Sequence, residues 1–196
     1  MLTTLQTRKL SHLFKIFDFD HNGLIQESDL LGITENISII NGILDGSTKD
    51  NVLQNSIRKI WHALQVHFKN PAMQTCSMEQ WLEFLEIKFV SKNKSEIICL
   101  IQAFAEQLYS IFDHNDDGKL SQREYMCIFM SFRVDIKQAF QCFSLLDINQ
   151  DGFISHEEFV FAVLDFFQNE NKEAPGNWLF GDWESYYFST RIGIKV

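Results

Sequence analysis

Apolar residues recur along this 196-residue chain at the three-to-four spacing of an α-helix, and short stretches dense in Asp, Asn and Gly break the rhythm. Before three of these breaks stands an apolar pair: Leu13 with Phe17, Leu108 with Phe112, and Cys142 with Leu146. After each comes another at matching offsets: Leu30 with Ile33, Tyr125 with Ile128, and Phe159 with Ala162. The pattern predicts helix, loop, helix three times over, and internal repetition of this kind decides the fold class. Ser91 to Ser95 is a short polar linker, with Ser95 a suitable N-cap for the following stripe of Ile97, Ile101, Phe104 and Leu108. Asn36 to Asn51, with Asn41-Gly42 and Asp45-Gly46, predicts a helix end followed by a loop.

The three breaks obey one rule, Asp-x-[Asp/Asn]-x-[Asn/Asp]-Gly with a carboxylate six residues after the glycine: Asp18 to Asp29, Asp113 to Glu124 and Asp147 to Glu158. A hard divalent cation takes six or seven oxygens from such a loop, with side chains at positions 1, 3, 5 and 12, a backbone carbonyl at 7, and Gly at 6 for the turn. The expected ligands are Asp18, Asp20, Asn22, the Leu24 carbonyl and Asp29 in the first loop. They are Asp113, Asn115, Asp117, the Lys119 carbonyl and Glu124 in the third, and Asp147, Asn149, Asp151, the Phe153 carbonyl and Glu158 in the fourth. Ser121 and Ser155, at position 9, are short enough to hold a water, whereas Asp116 and Glu157 fall outside the ligand schedule and suit a solvated face.

Such hands work in pairs, because one alone leaves its apolar helix faces and loop strand uncovered. The third and fourth pair naturally, with Leu120 opposite Ile154. The first needs a mate, and aligning Cys76 to Trp81 with Leu120 to Tyr125 finds it at Lys69 to Gln80, flanked by Leu64 and Phe68 before and Trp81, Phe84 and Leu85 after. Its ligand positions carry Lys69, Pro71, Met73 and Gln80, with no carboxylate, so it is expected to bind nothing and to serve shape alone, pairing Cys76 with Ile25. The expectation is an all-α fold: two pairs of EF-hands with short antiparallel loop strands in a compact body. The N-terminal pair would span residues 1–92, the C-terminal pair 93–170, and an aromatic tail over 171–196 would dock on the core.

Composition narrows the function. An apolar fraction of 45% with 22% charged residues is globular, and a formal charge of −9 excludes a basic face for nucleic acid and disfavours an anionic membrane. Much of that charge lies in the loops, where divalent ions would offset it. The four cysteines show no C-x-x-C spacing, and three fall among apolar residues of helical segments, so they read as reduced core thiols. Arg8, Lys9 and Lys15 interrupt the run that a signal peptide needs, no stretch reaches the length of a membrane span, and no glycine follows Met1 for myristoylation; a cytoplasmic monomer is expected. The six histidines form no metal or triad motif, so no enzyme is expected. Phe132, Phe140, Phe143, Phe159, Phe166 and Phe167, six of 19 phenylalanines, fall at helical spacing and read as core. Trp61, Trp81, His12 and His62 are the candidates to line an aromatic cavity, were there one.

The three loops should differ. Asp29 is one methylene shorter than the Glu at position 12 of the other two and reaches an ion with one oxygen, which suits six-coordinate Mg²⁺, so this site should have the weakest Ca²⁺ preference. A sensor that opens on Ca²⁺ exposes a Met-rich groove; five Met among 19 Phe point instead to a permanently packed core and a buffer.

Four hands with a lost second site, a stretched first pair and an aromatic tail resemble the sarcoplasmic calcium-binding proteins and their bacterial relative calerythrin. The tail words Ala174-Pro175-Gly176-Asn177-Trp178-Leu179-Phe180-Gly181 are similar to the segment that closes the core in that family. The resemblance implies two halves packed face to face and a role in buffering or transporting Ca²⁺, with Mg²⁺ competing. It does not cover Asp182 to Val196, which carries Trp183, Tyr186, Tyr187 and Phe188. Photoproteins and luciferin-binding proteins share the architecture around an aromatic cavity, but a photoprotein would call for a terminal proline where Val196 stands.

Overall fold

A computed structural model describes residues 1–90 and 94–184 of the chain. The helices are α1 (Thr4–Phe17), α2 (Glu27–Ile40), α3 (Thr48–His67), α4 (Met78–Val90), α5 (Lys94–Phe112), α6 (Gln122–Ser131), α7 (Ala139–Leu146) and α8 (His156–Gln168). Between them lie the two-residue strands β1 (Leu24–Ile25), β2 (Cys76–Ser77), β3 (Lys119–Leu120) and β4 (Ile154–Ser155). β1 pairs antiparallel with β2, setting Ile25 opposite Cys76, and β3 with β4, setting Leu120 opposite Ile154, both as expected. The fold is therefore all-α with two EF-hand pairs. Among the described residues no helix is long and apolar enough to cross a membrane.

Local sequence sets the helix ends. Thr3 accepts from the Gln6 amide while the Gln6 side chain returns to the Thr3 amide, a reciprocal cap at the start of α1. Ser47 caps α3. In the segment expected to be a helix end and a loop, α2 stops at Ile40, the chain turns through Gly42 and Gly46 at φ +63° and +70°, and α3 begins. Asp50 fastens this turn, accepting from the Ser38 hydroxyl at 3.0 Å and the Gly46 amide at 3.1 Å.

The flanking positions marked by periodicity are the core: Leu13, Phe17, Leu30, Ile33, Leu108, Phe112, Tyr125, Ile128, Leu146 and Phe159 are all buried. Phe140 is a correction. It is 67% exposed, because α7 buries Ala139, Cys142, Phe143 and Leu146 and that register turns Phe140 outward. The halves interlock: α1 packs on α8, α2 on α6 and α3 on α5. Asn36 of α2 donates to the carbonyls of Met130 and Ser131 at the end of α6, at 3.2 and 2.7 Å. The Arg133 guanidinium stacks 3.6 Å from the centre of the Phe19 ring, in the first loop.

Residues 174–183 strap across the body, with Leu179, Phe180 and Trp183 buried. The strap is fixed by buried polar contacts from separate helices. Lys9 of α1 is wholly buried and donates to the Asn169 carbonyl at 3.0 Å and to Asn177 Oδ1 at 2.8 Å. His12 donates to the Phe180 carbonyl at 2.9 Å and Tyr125 to the Leu179 carbonyl at 3.2 Å. Asp165 accepts from the Gly176 amide at 2.9 Å. The buried aromatics of the strap are described as far as Trp183; Tyr186, Tyr187 and Phe188, like residues 91–93 and the Ser95 side chain, lie outside the described residues.

Candidate metal centres

Three loops share one backbone. The residue at position 4, His21, Asp116 or Gln150, is left-handed at φ +61°, +53° and +59°, and Gly23, Gly118 and Gly152 follow at +88°, +77° and +87°. Glycine suits the sixth position because its φ lies beyond the narrow left-handed region that the L side chains at position 4 occupy. The turn brings amides onto the first ligand: Asp18 Oδ1 and Oδ2 accept from Asn22 and Gly23, Asp113 from Asp117 and Gly118, Asp147 from Asp151 and Gly152, all at 2.9–3.1 Å. Position 5 is held the same way, with Asn22, Asp117 and Asp151 accepting from the amides of Leu24, Lys119 and Phe153 at 2.9–3.0 Å. At position 3, Asp20, Asn115 and Asn149 each accept from the amide two residues on.

The twelfth residue both closes the loop and starts the exit helix. Asp29 Oδ2 accepts from the Gln26 amide at 2.7 Å and Oδ1 from the Asp20 amide at 3.3 Å. Glu124 accepts from His114 at 3.0 Å and Ser121 at 2.7 Å, and Glu158 from Ile148 at 3.0 Å and Ser155 at 2.9 Å. Ser121 and Ser155 therefore act as helix caps. Asp116 and Glu157 are exposed, outside the ligand set.

Asp18, Asp20 and Asp29 bring one carboxylate oxygen each to within 4.8 Å of the others, the set that reaches this distance among the described residues. Burial raises the Asp29 carboxyl above its ordinary range, its amide bonds from Gln26 and Asp20 oppose this, and repulsion from Asp20 and Asp18 adds to the rise. Three anions held together at a turn, their amide contacts already arranged, are the donor chemistry of a hard divalent cation, whose charge would relieve that repulsion. The residues present fit the ion in all three loops: the carbonyl-bearing positions Leu24 and Lys119 open β1 and β3, and Phe153 immediately precedes β4.

The second loop is built differently. Left-handed geometry falls at Lys69, φ +49°, and Met73 is buried where a ligand would stand. Gln65 of α3 donates to the carbonyls of Pro71 at 3.3 Å and Met73 at 3.2 Å, so the loop is held by an amide. Gln80 keeps the capping duty of position 12, accepting from the Ser77 amide at 2.9 Å, with no charge.

Two polar residues outside the ligand schedule serve these sites and the strap, and the motif does not mark them. Tyr109 in α5 donates its hydroxyl to the Gly118 carbonyl at 2.7 Å. Burial, then the carboxylates of Asp113, Asp117, Glu157 and Glu124, push its phenol well up. Burial of Lys9 pushes its ammonium down to about 8 while Asp165 pulls the other way. Cys76 and Cys142 are buried thiols pushed up to about 12, Cys127 is half-buried, Cys99 is exposed, and all four are free.

An apolar cavity of about 80 Å³ lies between the halves, walled by residues that include Phe17, Trp81, Phe84, Phe104, Phe132 and Phe167 and covered by Leu179 and Phe180 of the strap. Of the four candidates to line a cavity, Trp81 does. Trp61 is buried beside the second loop, His62 is exposed, and His12 holds the strap by its carbonyl.

Residues 138–164, from the end of the turn before α7 through most of α8, match the EF hand family. No curated protein matches the chain. Among solved structures, the sarcoplasmic calcium-binding protein of amphioxus is similar over 93% of this chain and 99% of its own, at 18% identity and a TM-score of 0.72. A Streptomyces coelicolor calcium-binding protein is similar over 85% of this chain and 99% of its own, at 22% identity and TM-score 0.69. The coelenterazine-binding protein of Renilla muelleri is similar over 92% and 99%, at 22% identity and TM-score 0.67. Residues 138–164 are thus an EF hand, set in a chain that has the fold of the sarcoplasmic calcium-binding proteins.

Proposed function

We propose that this chain binds Ca²⁺ through three of its four hands and serves as a cytoplasmic, monomeric Ca²⁺ buffer, with Mg²⁺ competing above all at Asp18 to Asp29. The observation that carries this reading is the thrice-repeated loop, in which the same backbone turn sets ligand carboxylates under the same amides at the first, third and fourth hands. The N-terminal pair, residues 1–92, would hold one ion and the C-terminal pair, 93–170, two. A buffer is favoured over a sensor because the face a sensor would open is closed by the strap through Lys9, His12, Tyr125 and Asp165. No catalytic set accompanies the loops in this reading. Calorimetric titration of the chelator-stripped chain is the test: three Ca²⁺ per chain are expected, and no uptake overturns the proposal.

A second reading, a carrier of a small apolar ligand, is favoured by the cavity between the halves. Its 80 Å³ is far below the roughly 300 Å³ at which drug-sized ligand pockets begin, so the body would have to loosen first. Native mass spectrometry of freshly purified protein separates the two: a bound organic mass supports the carrier, whereas a metal-only mass supports the buffer. Strong uptake of a hydrophobic dye by folded protein on adding Ca²⁺ would instead favour a sensor.

A further inference from the structure

The geometry points to Tyr109 as a positioning residue that couples ion binding in the third loop to ion binding in the fourth. The inference rests on the reading that both loops bind Ca²⁺. Tyr109 stands four residues before the first ligand of its loop, where the first and fourth hands carry Phe14 and Phe143 and the second carries Gln65. At this place a polar atom fixes a loop in two hands. Gln65 ties the metal-free second loop, while Tyr109 ties a loop with a full ligand set.

The ring of Tyr109 belongs to the partner hand. It meets His156 edge-on with centroids 5.0 Å apart and Phe159 at 5.8 Å, both on α8, the exit helix of the fourth hand. Its hydroxyl has a single proton, and the 2.7 Å contact commits it to the Gly118 carbonyl; the Ile154 carbonyl, in β4, stands 3.4 Å away. Gly118 is the left-handed glycine of the third loop, and its amide orients Asp113 Oδ2 at 2.9 Å. A rigid side chain is thus seated on the fourth hand at one end and grips the turn that aims the first ligand of the third at the other. Any shift of α8 as the fourth loop closes on its ion is carried through the ring to Gly118 and so to Asp113. The backbone bridge between β3 and β4 has its equivalent in β1 and β2, but Phe14 has no hydroxyl, so the N-terminal pair lacks this link.

The test uses the whole chain with Tyr109→Phe, which keeps the buried ring, in two backgrounds: the natural sequence and Glu158→Gln, which weakens the fourth site. Amide resonances of Gly118 and Gly152, followed by NMR during Ca²⁺ titration, report the third and fourth loops separately. A hydrogen bond worth about 1 kcal/mol corresponds to about fivefold in affinity. The expected result is a Gly118 midpoint raised about fivefold by Tyr109→Phe in the natural background and by less than about twofold in Glu158→Gln. An equal factor in both backgrounds means the hydroxyl serves the third loop alone and overturns the coupling, as does no change in either. Absence of any Ca²⁺-dependent shift of Gly118 and Gly152 in the natural sequence would overturn the three-site reading itself, and this inference with it.

Discussion

Replacing Gly176 by Ala is expected to lift the strap from the body. Its Cα faces α8 so closely that an added methyl would overlap the Ala162 carbonyl oxygen and lie 2.7 Å from both Asp165 Cβ and the Phe166 amide nitrogen. Two of these obstacles are backbone atoms of a helix, so no rotamer change clears them. The φ of Gly176 is not in the left-handed region, hence the effect is steric and owes nothing to backbone preference. Overpacking of this kind costs about 1–3 kcal/mol. Moving the turn away also breaks the 2.9 Å bond from the Gly176 amide to the Asp165 carboxylate, about another 1.5–3 kcal/mol for a charged acceptor. Together the loss is about 2.5–6 kcal/mol, limited above by the free energy of releasing the strap. For a chain of this size that corresponds to roughly 5–24 °C in Tm. Thermal unfolding in saturating Ca²⁺, followed by circular dichroism, gives the number. Hydrophobic-dye fluorescence well below the transition should rise in the variant, because Leu179 and Phe180 leave the cavity they cover. A Tm within about 2 °C of the natural protein, with no gain in dye binding, would refute the claim that Gly176 sets the approach of the strap to α8.

Chelation should lower stability, since carboxylates held together in the loops repel one another; each site adds about 2.7 kcal/mol at free Ca²⁺ a hundredfold above its dissociation constant, and a melt unmoved by chelator would contradict this. Asp29→Glu should raise Ca²⁺ affinity at the first site and lower its relative preference for Mg²⁺, read by titration with both ions; an unchanged ratio counts against the argument from side-chain length. Lys9 gives a pH dependence. Its ammonium is held down to about 8 in the fold against an ordinary 10.5, so between these values the unfolded chain binds more protons and stability from this group rises with pH. Denaturant unfolding of the natural chain against Lys9→Met should show the difference moving in the natural chain's favour from pH 8 to 10.5. A flat difference would mean that the hydrogen bonds to Asn169 and Asn177 hold the charge as water does.

Much of the fold was legible because its signals are local and repeated. The loop positions recur at fixed offsets, so Ile25 opposite Cys76 could be read even with the second loop stripped of ligands: the apolar flanks Leu64, Trp81 and Phe84 outlast the carboxylates. Phe140 was misplaced because α7 is short, and one turn of periodicity does not fix which of two adjacent aromatics faces inward. Lys9 was illegible for another reason. Nothing near it in sequence demands burial; its partners, Asn169 and Asn177, are far along the chain and meet it only once the strap has docked. Tyr109 carried a faint signal, a phenol where two sister hands have Phe, but its meaning depends on the pairing of loops that places Gly118 and Ile154 beside it. The cavity-lining set failed similarly, since which aromatics border a space between halves is decided by helix rotation, and Trp61 and His62 are turned elsewhere.

The second hand is built so that an ion site would be hard to install in it. Gln80 caps the start of α4 as the carboxylates do for the other exit helices, through the same reciprocal donor–acceptor pair but without a charge. Met73 belongs to the hydrophobic interior, and Pro71 and Lys69 occupy positions that carry oxygen donors in the other three loops. Placing any one carboxylate there would give no ion site, and at Met73 it would exchange a packed thioether for a buried anion at a cost of several kcal/mol. The second loop is thereby insulated by its own packing: the buried Met73 side chain and the Gln65 amide hold the turn that charged side chains line in the other three.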